Sequence, residues 1–223
     1  MDALNAKIKA MRARLPTASD YMALCQPGAA VSIDRSRLSF ENELARLRRF
    51  LADTEGRKLI QEREPMEAWA YARSLQRGQN RSALTYITGT EIDLQNILTI
   101  YRLKRYYASL PAGADIYPHL TPICYRLRPD ELKQMAESPG IFEFIIIAKH
   151  TPYGLISFED PEADIFREMS RVYSKMAKRY PRSMAAVLGY IFARRAEIRN
   201  LTAIIEGHKY NLPPEEIFKL IRI

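Results

Sequence analysis

Apolar residues recur at helical spacing along most of the chain. Leu4, Ile8, Met11 and Leu15 fall at i, i+4, i+7 and i+11, with Lys7, Lys9, Arg12 and Arg14 between them. That is the pattern of an amphipathic helix with a basic outer side. Phe40, Leu44, Leu47 and Leu51 repeat it, with Ser39 the expected N-cap and Glu41 and Glu43 near the positive end of the helix dipole. Ile165, Met169, Val172 and Met176 repeat it again, after Asp160 as a cap and Pro161 in the first turn. From Ser183 to Glu206, Val187, Tyr190, Ile191, Ile198, Leu201 and Ile205 line one face of a long expected helix. Gly207 is expected to stop that helix in the left-handed conformation. A last helix opens at Pro213-Pro214, with Glu215-Glu216 in its first turn. The β-branched run Ile145–Ile147 suits a strand, but one strand without a partner is unstable. The expected fold class is all-α, built as helical bundle lobes.

The sequence also resembles itself. Asp93-Leu-Gln-Asn96-Ile-Leu-Thr-Ile-Tyr and Glu197-Ile-Arg-Asn200-Leu-Thr-Ala-Ile-Ile share the form acid-x-x-Asn-aliphatic-x-x-Ile-x. Leu127-Arg-Pro129-Asp130-Glu131-Leu132 and Leu212-Pro-Pro214-Glu215-Glu216-Ile217 follow them as a second matching pair. Ser39-Phe40-Glu41 and Ser157-Phe158-Glu159 precede them as similar helix openings. The expected organisation is two pseudo-repeats, over residues 1–125 and 126–223, closely associated. Positions i and i+3 share a helix face, so Asp93 with Asn96, and Glu197 with Asn200, each set two polar groups side by side. Asn is a mediocre helix former. Its place in mid-helix twice points to a side chain that ties down a neighbouring loop or helix end.

Length and charge narrow the function. A chain of 223 residues, 47% hydrophobic and 27% charged, can bury a full core and is neither disordered nor a stapled mini-protein. Cys25 and Cys124 stand far apart with no CxxC or Cys/His spacing, so each is expected to be a small buried hydrophobe. The net charge of +8 suits nucleic acid, an anionic membrane surface or an acidic protein. No apolar run is long enough to span a bilayer, and the basic amphipathic start is unlike a secretory signal, so a cytoplasmic location is expected.

Reaction centres are missing from the sequence. It has no GxxxxGK[ST] phosphate loop, HExxH or GxSxG, and His119, His150 and His208 are scattered. Glu62, Glu64 and Glu67 lie among Arg57, Lys58 and Arg63, which reads as surface ion pairing and not acid–base chemistry. No metal, cofactor or catalytic residue is expected. The alternative function is a basic all-helical nucleic-acid-binding protein. Arg102-Leu-Lys104-Arg105-Tyr106-Tyr107 and Lys175-x-x-Lys178-Arg179-Tyr180 mix cations with aromatics, as strand-binding surfaces do. Neither belongs to a known recognition motif, and both also suit the negative ends of helices.

Three places carry a family resemblance. Asn5-Ala6-Lys7-Ile8-Lys9-Ala10-Met11-Arg12-Ala13-Arg14-Leu15, the segment Ile92-Asp93-Leu-Gln-Asn96-Ile97 with Arg102, and the ending from Gly189-Tyr190-Ile191 through Glu197-Ile198-Arg199-Asn200-Leu201 to Leu212-Pro-Pro-Glu-Glu-Ile217 resemble the C subunit of archaeal/vacuolar-type (A/V-type) rotary ATPases. Its eukaryotic counterpart is called the d subunit. Members of that family are longer, with three helical units in a funnel where this sequence has two. Glu197 stands where the family usually has Asp, and Glu206 where the first copy has Arg102. The resemblance implies a non-catalytic part of the central stalk, on the cytoplasmic face of the membrane. It would join the shaft to the membrane rotor ring and couple ATP hydrolysis or synthesis to ion transport. Its motif residues here are Asp93, Asn96, Arg102, Glu197 and Asn200. Lys9, Arg12 and Arg14, beside the apolar stripe of the first helix, are the candidate contacts to a partner. No nucleic-acid partner is expected on this reading.

Overall fold

The computed structural model describes residues 2–49, 64–106 and 116–222, and the described residues hold helices and no strand. In chain order these are α1 (Asp2–Arg12), α2 (Ala18–Leu24), α3 (Ile33–Arg48), α4 (Pro65–Ser74) and α5 (Gln79–Tyr106). A 3-10 turn over Tyr117–His119 follows. The remainder are α6 (Pro129–Glu137), α7 (Ile141–Lys149), α8 (Pro161–Arg179), α9 (Ala185–Lys209) and α10 (Pro214–Lys219). The expected all-α class is correct. Leu51, Arg57, Lys58, Glu62, Arg63 and Tyr107 lie outside the described residues.

Several boundaries differ from the sequence expectation, each for a local reason. The first helix ends at Arg12 and leaves Leu15 in a bend, because Pro16 disfavours helical backbone at the residue before it. The next helix restarts behind Thr17, whose hydroxyl accepts from the Asp20 N–H while Asp20 accepts from Thr17. Ser39 is not an N-cap. The helix already begins at Ile33 behind an extended Ser32, and no Gly or Pro interrupts it before Ser39. Ser157-Phe158 is not a matching helix opening either: Phe158 sits at φ 65° in a bend ahead of α8. Asp160 does cap α8, accepting from the Ala163 N–H at 3.0 Å. Ile145–Ile147 is helical within α7. Gly207 does not stop α9. It stays helical, and a Cβ built there would meet Ile217 Cγ1 at 2.6 Å, so its bareness admits α10. The left-handed residue is Asn211, at φ 53°.

Contacts divide the chain into two compact units, Met1–Arg63 with Tyr173–Ile223, and Glu64–Val172. The expected boundary between residues 125 and 126 falls inside the second of these. In the first unit, α1, α3 and α10 all pack on α9, and α2 packs on α10. Tyr21, Cys25, Ile204, Ile217 and Ile221 form one of its buried clusters, with Leu24, Val31, Leu212 and Phe218 around it. In the second unit, α4 lies along α5. Ala68 and Ala72 are fully buried there, and such small side chains allow a close approach. Leu84, Ile87, Ile92, Leu94, Ile97 and Ile100 of α5 are each sealed from solvent. Each contributes roughly 1.5–3 kcal/mol by burial, which is what holds so long a helix in place. Phe144 stands edge-on to Phe158 at 5.3 Å, and Phe158 stacks on Tyr101 at 5.7 Å.

Candidate functional site

Both acid-x-x-Asn segments lie inside the longest helices and face inward. Asp93 and Asn96 are 0% and 2% exposed, Glu197 and Asn200 8% and 2%. Buried polar groups need partners, and the partners explain why these residue types sit there.

On α5, Asp93 works as a three-way acceptor for a stretch of irregular backbone. Its Oδ1 accepts from the Tyr125 N–H at 3.0 Å, and its Oδ2 from Arg126 at 2.7 Å and Leu127 at 3.1 Å. One turn further, the Asn96 amide donates to the Thr121 carbonyl at 2.9 Å and accepts from the Thr121 N–H at 2.8 Å. Residues 121–127 belong to no helix or strand, and these two side chains supply partners for four of their backbone N–H groups and one carbonyl. The Tyr153 hydroxyl donates to Asp93 Oδ2 at 2.8 Å. Burial, then the adjacent Asp93 charge, push the Tyr153 phenol far above its ordinary range, so it remains a donor. The Arg126 guanidinium lies 5.2 Å over the Tyr153 ring and brings positive charge to the same place. Gly89, one turn before Asp93, makes room for the loop: a Cβ there would lie 2.3 Å from Tyr125 Cγ and 2.8 Å from Trp69 Cζ3.

On α9, Asn200 repeats the amide clasp, donating to the Arg222 carbonyl at 3.0 Å and accepting from its N–H at 2.9 Å. A buried aliphatic precedes the clasped residue each time, Leu120 before Thr121 and Ile221 before Arg222. The Leu-x-Pro-acid blocks are placed differently, since residues 127–133 follow their clasp and residues 212–219 precede theirs. Replacing Asn96 or Asn200 with Leu leaves a backbone N–H and a carbonyl unpaired and is expected to cost about 1–3 kcal/mol each. Thermal melts monitored by circular dichroism check this; unchanged midpoints in both variants would remove the structural role.

Glu197 does a different job from Asp93. Being one methylene longer, it reaches sideways to α3, where Ser36 Oγ donates to its Oε1 at 3.0 Å, and it pairs with Arg194. Arg194 is itself buried, and its Nε donates to Glu43 at 3.1 Å while its other terminal nitrogen donates to the Ser36 carbonyl at 3.3 Å. The Tyr190 hydroxyl donates to Glu43 at 2.7 Å. Burial, then the Glu43 hydrogen bond and charge, raise the Tyr190 phenol above its ordinary value. This ion network across α3 and α9 escapes sequence reading. Its only signal was the i, i+3 placement of Arg194 and Glu197 on an otherwise apolar helix.

The other expected residues are at the surface. Arg102 pairs with Glu162 at 2.5 Å, but both side chains are about half exposed, so the pair stabilises little. Lys9 is exposed in the last turn of α1 and Arg12 is half-buried there, while Arg14 is exposed past its end. Lys104 donates to the carbonyls of Ala136 and Ser138 at 3.0 and 2.5 Å. Lys104 is thus committed to the fold, whereas Arg105 and Tyr106 of the same run are exposed; the run matches no recognition motif, and the nucleic-acid reading has no support. Glu64 and Glu67 are exposed, and the cations expected to pair with them, Arg57, Lys58 and Arg63, lie outside the described residues. His119 is exposed, His150 Nδ1 contacts the Ile146 carbonyl at 2.8 Å, and His208 Nε2 contacts the Leu24 carbonyl at 3.0 Å. Cys25 is fully buried and Cys124 half-buried, both unpaired. Among the described residues, no three His, Cys, Asp or Glu stand together as a metal site, and no helix is long and apolar enough to cross a membrane.

Comparison with known proteins gives this arrangement its context. The chain is 34% identical over 133 residues to the A-type ATP synthase C subunit of Archaeoglobus fulgidus, covering 57% of this chain and 38% of that protein. It is 26% identical over 156 residues to the A-type ATP synthase C subunit of Methanobrevibacter smithii, covering 64% and 40%. The protein of that name from Methanocaldococcus jannaschii is 25% identical over 158 residues, covering 65% and 38%. The matched part is thus well under half the length of these relatives. No solved structure matches. The family of ATP synthase (C/AC39) subunits matches residues 40–220, a span that takes in both acid-x-x-Asn helices, and the chain belongs to that family.

Proposed function

We propose that the protein is a non-catalytic subunit of the central stalk of an A/V-type ATPase. In this reading it connects the central shaft to the membrane rotor ring, from the cytoplasmic face, so that ATP hydrolysis or synthesis is coupled to ion transport. The match to the ATP synthase (C/AC39) subunits over residues 40–220 carries the proposal. A part that passes torque must keep its loops fixed to its long helices. Asp93, Asn96 and Asn200 supply such fixing through buried side-chain bonds to backbone. The equal clasps made by Asn96 and Asn200 support two copies of one helical unit, over residues 1–125 and 126–223, as part of a funnel-like body. Lys9, Arg12 and Arg14 are the candidate contacts to shaft or ring. Lys9 and Arg14 stand exposed, as such contacts require.

Purifying the tagged chain from its native membranes tests the assignment. Shaft and ring subunits are expected to accompany it, in amounts that fall when Arg12 and Arg14 are reversed to Glu. Recovery of the chain without either kind of subunit would overturn the stalk reading; undiminished recovery from the reversed variant would overturn only the role of α1.

A further inference from the structure

The positive charge is not evenly spread. Residues 1–63 and 173–223, the first compact unit, carry 22 Lys and Arg against 12 Asp and Glu. The second unit carries 12 against 14, so the whole excess belongs to the first.

Within that unit the helix directions gather cations at one end. Ser36 bonds Glu197 and Glu43 bonds Tyr190, so α3 and α9 run antiparallel and the last turn of α3 lies by the start of α9. The Tyr173 and Phe192 rings pack at 4.9 Å across the tight turn between α8 and α9, so α8 also ends there. This end therefore holds Arg46, Arg48 and Arg49 from α3 and Lys178, Arg179 and Arg182 from α8 and the turn after it. All but the half-buried Arg48 are exposed, and Lys175 stands one turn behind. No Asp or Glu occurs in residues 44–49 or 169–196, and the nearest carboxylate of α3, Glu43, is engaged with Arg194 and Tyr190. Two helix C-termini offset about one positive charge between them, and the α9 N-terminus returns about half of that. Dipole compensation accounts for only a small part of the cluster.

We infer that this end of the first unit is an adsorption surface for anionic phospholipid headgroups. None of the exposed large apolar side chains described in the structure lies within residues 44–49 or 169–182, and Leu38 of α3 stands two turns back from Arg46, so this end has no anchor of the kind that dominates protein interfaces. Tyr180 is half-buried, with the Arg179 guanidinium 5.6 Å over its ring, so no fully exposed ring offers a stacking platform for nucleic-acid bases. What remains is a cluster of long, exposed cationic side chains with no apolar anchor among them, which suits the diffuse negative potential of a charged leaflet. The inference takes from the proposed function only that the chain works beside a bilayer.

The test is co-sedimentation of the purified full chain with phosphatidylcholine vesicles, with and without about 30 mol% phosphatidylglycerol, the anionic lipid. Binding is expected only with phosphatidylglycerol, and it should fall steeply as salt rises from about 0.05 M to about 0.5 M. The variant R46E/R49E/K178E/R179E should bind at least about 100-fold more weakly, since each surface cation changes affinity about fivefold. R105E/K149E, with half the charge change on exposed residues of the second unit, should lose less than about threefold if charge acts locally. The salt series on the unaltered chain needs no variant to fold. Equal binding to both vesicles, equal loss per charge in the two variants, or tight binding of poly-glutamate or a single-stranded oligonucleotide with none to vesicles would overturn the inference. None of these results bears on which subunits co-purify, so the stalk assignment stands or falls separately.

Discussion

Replacing Asp93 with alanine is expected to lower the thermal midpoint by about 10 °C, the largest effect of any single side-chain truncation in the second unit. The carboxylate accepts from three consecutive backbone N–H groups and from the Tyr153 hydroxyl. Truncation leaves those donors without an acceptor in a place water does not reach, at about 4 kcal/mol in total. A chain of this size loses about 2–4 °C of midpoint per kcal/mol. Asp93→Asn keeps the shape but turns one acceptor into a donor that faces N–H groups, so it should fall between alanine and the parent. Tyr153→Phe removes one bond and should cost about 1 kcal/mol. That order, read from thermal melts, is the signature of an acceptor cluster. If Asp93→Asn melts with the parent, the carboxylate is not what holds residues 125–127.

The second large effect is expected at Arg194, in the first unit. Arg194→Ala removes the cation that faces both Glu43 and Glu197, and leaves two poorly solvated carboxylates near one another. Breaking a buried pair by deleting one partner costs about 3–5 kcal/mol, because the desolvated charge left behind loses its compensation. The Phe40 ring, 5.7 Å from the guanidinium, also loses its packing partner. Adding Glu197→Gln should recover part of the loss, since it removes one of the stranded charges. A double-mutant cycle on urea midpoints measures this coupling. Additive losses would show that Arg194 and Glu197 do not act as a unit.

These two centres differ in how far the sequence revealed them. Asp93 and Asn96 stood out because polar, weakly helical residues in mid-helix need a reason, and the i, i+3 spacing put them on one face. Their function as ties was legible; the tied segment was not. Thr121 and residues 125–127 carry no signal of being clasped, because it is their backbone that is held, and every residue has one. Arg194 was hidden for a related reason. A cation between apolar positions on a long helix looks solvent-facing until the partners on α3 are brought beside it, more than a hundred residues away in sequence. The matching of Glu197 with Asp93 was misleading in one respect: one additional methylene redirects the carboxylate from loop backbone to a side-chain network.

Helix ends show the same division. Asp160-Pro161 holds in the structure because capping and proline chemistry act over a single turn. Gly207 failed as a helix stop because its missing side chain serves α10 and not its own backbone. Helical spacing, the all-α class, the duplicated Asn positions and the family likeness come from periodicities and short motifs, and such signals depend only on neighbours along the chain. The clasped loop, the Arg194 network and the gathering of cations at one end of a bundle came from the tertiary structure alone. Each depends on which distant segments meet, and that is settled by long-range packing, which leaves no periodic mark on either segment alone.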